Sequence, residues 1–121
     1  MSRHEQLEQV AKDLRENVPD IRGVMVASNE GLSIATDMHE DEAVRVAAVC
    51  AAAAGLGSRI VTNASLGEAE EVMVKGRDGL LLIYIAGKTG VLAVRAPARG
   101  NLGLVRLEAS AAAEDIRRIL S

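Results

Sequence analysis

Leu80-Leu81-Leu82-Ile83-Tyr84-Ile85 is apolar on both of its alternating faces. Side chains of a strand point to opposite sides in turn, so a strand with one wet face alternates apolar with polar residues. This one does not, and it reads as a central strand covered on both sides. The sheet that contains it must lie between helices. Its neighbours follow from short turns. Arg77-Asp78-Gly79 and Gly87-Lys88-Thr89-Gly90 are hairpin connections, so residues Glu71 to Lys75 and Val91 to Ala96 become the flanking strands.

Working towards the N-terminus, Leu32 to Thr36 alternates apolar with small polar residues, and Gly23 to Ala27 reads as the strand before it. Asn29-Glu30-Gly31 supplies the turn between them, because Asn and Gly tolerate positive φ. Ser2 and Glu5 have capping-box spacing. Leu7, Val10, Ala11, Leu14 and Val18 then recur at helical intervals until Pro19 closes the helix. At the other end, Pro97 stops the last strand and Asn101 can cap a final helix. Its apolar stripe is Leu102, Val105, Ala109, Ala112, Ile116 and Ile119. The remaining segment, from about Asp41 to Asn63, reads as a long helix of roughly 34 Å, with Asp37 as its cap. The order is helix, two strands, helix, three strands, helix, in one domain spanning residues 1–121. The fold class is α+β, with a mostly antiparallel sheet.

The long helix carries the stretch Ala47-Ala48-Val49-Cys50-Ala51-Ala52-Ala53-Ala54-Gly55, which has almost no polar face. At about 100° per residue, Val46, Val49, Cys50, Ala53, Leu56, Ile60 and Ala64 gather on one side, and these larger residues suit burial against the sheet. Val44, Ala48, Ala51, Gly55, Ser58 and Thr62 fall opposite. Simple exposure of that small face is one reading, since Ala is the best helix former. Gly55 argues for another, because glycine inside a helix costs roughly 1 kcal/mol relative to Ala. A second copy of the molecule, meeting the face around a two-fold axis, explains the glycine. The strand Glu71 to Lys75 reads as a sheet edge, and Val72 and Val74 on it join the expected dimer interface. Arg45 and Arg59 lie on one flank of the helix, where they are either solvated or in contact with a partner.

Composition excludes several functions. The chain has 121 residues, no Phe or Trp, and one aromatic residue, Tyr84. Single-stranded nucleic-acid binders rely on aromatic platforms, and the net charge of −3 does not suit a phosphate-backbone binder. No nucleic-acid partner is expected. Cys50 is the only cysteine, so no intrachain disulfide or cysteine-based metal cluster forms. The first twenty residues lack the apolar run of a signal peptide. The Ala-rich stretch reads as too short and too weakly apolar to span a bilayer. A cytoplasmic protein without a membrane partner is the expectation.

No motif nominates catalysis. Gly87-Lys88-Thr89 resembles the end of a phosphate-binding loop, but Leu82 stands where that loop needs its first glycine. Gly55-Leu56-Gly57 follows no strand and is not a dinucleotide fingerprint. His4 and His39 lack any metal or nucleophile spacing. Glu68, Glu70 and Glu71 read better as a solvated edge than as an acid–base pair. No catalytic, cofactor-binding or metal-binding residue is nominated, and no cofactor is expected.

Three stretches in order resemble the roadblock/dynein-light-chain family: Pro19 to Ala35 as the opening hairpin, the Ala-rich helix, and Asn101-Leu102-Gly103-Leu104-Val105-Arg106-Leu107 as the start of the last helix. The resemblance implies a five-stranded antiparallel sheet with one long helix on one face and two on the other. It also implies a homodimer built on the long helix and third strand. Members are non-catalytic platforms, and several regulate or scaffold Ras-like small GTPases. The implied function is a homodimeric scaffold that binds a small GTPase. A small-molecule sensor of profilin-like architecture is the alternative, by analogy of fold.

Overall fold

Ser2 and Glu5 form the capping box: the Glu5 amide donates to the Ser2 hydroxyl, and the Ser2 amide donates to the Glu5 carboxylate. From there the computed structural model, which describes residues 1–121, runs through α1 (Arg3–Asn17), β1 (Gly23–Ser28), β2 (Ser33–Thr36) and α2 (Glu40–Asn63). It continues through β3 (Glu71–Lys75), β4 (Leu80–Ala86), β5 (Gly90–Ala96) and α3 (Leu102–Leu120). The sheet order is β2-β1-β5-β4-β3, and every neighbouring pair is antiparallel. Strands β2 and β3 are the edges.

The alternation of the inner strands sorts side chains into two cores. Val24, Val26, Leu82, Leu92 and Val94 point towards α1 and α3, where they join Leu7, Leu14, Val105 and Ile116. Met25, Ala27, Ile83, Val91 and Ala93 point towards α2. This is why Leu80 to Ala86 has no polar position: β4 lies one strand in from the edge with a helix layer on each side.

Two local readings need correction. Asp37 does not cap α2. His39 occupies the cap position without a side-chain cap bond. Asp37 is engaged elsewhere, accepting from the Val24 amide at 3.1 Å and pairing with Arg15, so it ties β2 to β1 and α1. On length and composition, α2 is also apolar enough to cross a membrane, against the sequence expectation. In this fold, Ala43, Ala47, Cys50 and Ala54 of that helix are buried.

Candidate interaction surface

The buried stripe of α2 is made of small residues. Ala43, Ala47, Cys50 and Ala54 face the sheet, while Val49, Leu56 and Ile60 are 61%, 58% and 55% exposed. The helix is therefore turned by roughly 90° from the orientation expected on residue size, at about 100° per position. Ala64 is exposed too, and Val46 and Ala53 are half-buried. The physical reason lies in the sheet. Met25, Ile83 and Val91 already fill the layer beneath α2, so the helix must approach with side chains no larger than a methyl or thiol. Burial pushes the Cys50 thiol above its usual pKa, which keeps it neutral.

Neighbouring loops account for much of the small-residue flank. Gly31, at φ +95°, brings the β1–β2 turn down onto α2, where a Cβ on that glycine would stand 3.4 Å from the Ala48 Cα. Ala51 is half-buried beside the same turn. Close approach to the helix by a strand occurs at Gly57, not Gly55. A Cβ on Gly57 would fall 2.5 Å from Val72 Cγ2, whereas a Cβ on Gly55 would meet nothing within 4 Å. The expected interface residues thus separate. Val44, Ala48, Gly55, Thr62 and Val74 are exposed, while Ala51, Ser58 and Val72 are half-buried. Arg45 and Arg59 are exposed on the outer face of α2, on either side of the exposed Ala52.

The surface is larger than the sequence suggested. Val49, Leu56 and Ile60, which residue size places in the core, and Met73 are all exposed. A signal was present: α2 is apolar on two stripes at once, and a helix with two apolar stripes has two surfaces to cover. Beside it, a groove of ≈ 420 Å³ runs between α2 and the β3–β4 end of the sheet, lined among others by Val46, Val49, Val74 and Leu81. Arg95 closes one side of it. Its guanidinium donates to Glu42 at 3.0 Å and holds that carboxyl below the usual range.

The free edge of β3 adjoins this stripe. The Ile85 amide donates to the Glu70 carbonyl, and in an antiparallel ladder such bonded positions alternate. Glu70, Val72 and Val74 therefore turn their backbone groups towards β4. Glu71, Met73 and Lys75 present theirs outward. The arrangement offers apolar area and unpaired backbone groups, the two means by which one chain docks another. No three His, Cys, Asp or Glu side chains are grouped to hold a metal ion.

Known proteins share this fold. The Roadblock/LC7 domain family matches residues 7–96. The uncharacterized protein MJ1340 of Methanocaldococcus jannaschii is 37% identical over 98 residues, covering 80% of this chain and 85% of that protein. Among solved structures, a Roadblock/LC7 domain from Streptomyces avermitilis superposes with a TM-score of 0.87 at 23% identity, covering 93% of this chain and 96% of that one. The gliding protein MglB from Thermus thermophilus gives a TM-score of 0.86 at 18% identity, covering 98% and 91%. The match takes in the opening hairpin, the two-striped helix and the edge strand, and on it the chain belongs to the Roadblock/LC7 domain family.

Proposed function

We propose that this protein is a non-catalytic homodimeric scaffold that binds a Ras-like small GTPase. The observation that carries the dimer is the exposed aliphatic stripe of α2 next to a self-complementary strand edge. Glu71-Val72-Met73-Val74-Lys75 reads with opposite charges at its two ends. Antiparallel pairing of two copies with Met73 opposite Met73 sets Glu71 of each against Lys75 of the other. It also lets the outward backbone groups of Glu71, Met73 and Lys75 bond reciprocally. Val72 and Val74 then meet on the α2 side, where Val49, Leu56 and Ile60 can be covered. The assembly is isologous, as a two-fold dimer requires.

The GTPase assignment is supported by membership of the Roadblock/LC7 family and by the fold shared with MglB. Pairing of two α2 helices would make one continuous platform with Arg45 and Arg59 along it. Titration of the purified chain against the Ras-like GTPases of its source organism, loaded with GDP or a non-hydrolysable GTP analogue, tests this. Saturable binding to at least one nucleotide state is expected. A chain that sediments as a dimer yet binds none of them would overturn the partner while leaving the dimer intact.

A further inference from the structure

The sheet has a second open edge at β2, at the opposite end of the strand order from β3 and independent of the pairing proposed above. Just past β1, the Asn29 amide donates to the Thr89 carbonyl. By the alternation of an antiparallel ladder, the odd-numbered residues of β1 turn their backbone groups to β5 and the even-numbered ones to β2. Val26 therefore bonds Ala35, its partner in the register. At Val24, side chains complete the ladder. The Thr36 hydroxyl donates to the Val24 carbonyl at 2.8 Å, and Asp37 accepts from the Val24 amide at 3.1 Å. With Ala35 turned inward, Ile34 and Thr36 turn their backbone groups to the side where the sheet has no further strand.

Side chains of a strand alternate between the faces of its sheet, and this edge has a groove on each face. Towards α1, one of ≈ 330 Å³ is lined by Ala11 and Ala35 together with Glu8, Lys12, Glu16 and Asp37. Towards α2, one of ≈ 480 Å³ is lined by Leu32, Met38, Ala43 and Val44 together with Glu40. Leu32 and Val44 are 67% and 65% exposed, so this groove holds apolar area that the chain itself leaves uncovered. An open edge between two side-chain grooves is the geometry by which an extended peptide adds to a sheet. Backbone bonds hold the peptide, and its alternate side chains enter the grooves. The charges select those side chains. Asp37 is paired with Arg15, Glu8 meets only the His4 imidazole, and Glu16 and Glu40 are in no ion pair. Lys12 is the only lining cation in none. The α2 groove thus suits an aliphatic side chain and the α1 groove a basic one.

We propose that β2 receives an extended segment of a partner protein as a sixth strand, with aliphatic residues at alternate positions facing α2 and Lys or Arg between them facing α1. The probe is a fluorescein-labelled hexapeptide that alternates Lys and Val. Its anisotropy should rise saturably with protein concentration, and the amide NMR signals of Ser33 to Thr36 and of Lys12 should shift. Those of Glu71 to Lys75 should stay in place. A peptide alternating Glu and Val should bind about tenfold more weakly. So should the Lys–Val peptide methylated on its backbone nitrogens, which keeps every charge and side chain but has lost its N–H donors. Val44→Gln, an exchange of an exposed residue, should weaken the Lys–Val peptide several-fold at unchanged helix content. If that variant fails to fold, the two control peptides still decide the matter on the wild-type chain. No saturable response at millimolar peptide, shifts confined to Glu71 to Lys75, full affinity for either control peptide, or full affinity in folded Val44→Gln would each overturn the proposal. Wild-type association beyond a dimer that Val44→Gln abolishes would also overturn it, by giving this edge to a second copy of the chain.

Discussion

The two faces of the sheet are closed by different means. Towards α1 and α3, 20 buried residues form one core, and Leu7, Leu82, Leu92 and Ile116 in it are at most 1% exposed. Towards α2, the core has nine buried residues, and the helix contributes three alanines and a cysteine to it. The first face uses its large side chains inward. The second places Val49, Leu56 and Ile60 outward. A helix can therefore complete its own fold with small residues and keep its large ones for a surface outside the chain. Sequence and burial then disagree in a systematic way, and the disagreement marks an exposed apolar face.

The sharpest break in the comparison is a pair of truncations. Leu82→Ala removes a fully buried side chain and should cost about 2–5 kcal/mol of folding stability, read from urea unfolding. Leu56→Ala truncates an exposed one. In dilute solution its cost should stay within about 0.5 kcal/mol, while the dependence of stability on protein concentration weakens. Equal losses at both positions would mean that the α2 face is not a separate surface.

A smaller effect separates two glycines two residues apart. Gly57→Ala drives a methyl into Val72 and should destabilise by about 1–3 kcal/mol. Gly55→Ala enters open space and should stabilise the isolated fold by up to about 1 kcal/mol through helix propensity. Thermal unfolding of both variants orders them. A destabilised Gly55→Ala would place that glycine in a contact not visible within one chain.

The smallest effect tests the α1/α3 face through its one phenol. Burial, and secondarily the charge of Glu71, push the Tyr84 pKa above its ordinary value. The folded chain then holds the phenolic proton more tightly than the unfolded chain does. This contribution to stability is fully present below the unfolded pKa of about 10 and is lost as pH rises through the folded value. The midpoint of phenolate absorbance in the native protein should lie above pH 10, with stability falling as pH rises through it.

Most of the fold was legible in the sequence, because its signals are local. The apolar run of β4 required two helical layers, Pro19 and Pro97 punctuated the chain, and the capping residues Ser2 and Asn101 marked two helix starts. The orientation of α2 was not legible from residue size. It depends on how much of the layer Met25, Ile83 and Val91 already fill, which is set by strands distant in sequence. The role of Asp37 is hidden for a related reason: its partners, Val24 and Arg15, are brought to it only by the folded sheet.

On the proposed pairing, the outer face of α2 and the edge of β3 hold two copies together. Sedimentation equilibrium of the wild-type chain at micromolar concentration, beside Leu56→Asp, tests it most directly. A dimer is expected for the wild type and a folded monomer for the variant, with the same circular dichroism. A wild-type chain that sediments as a monomer would contradict it.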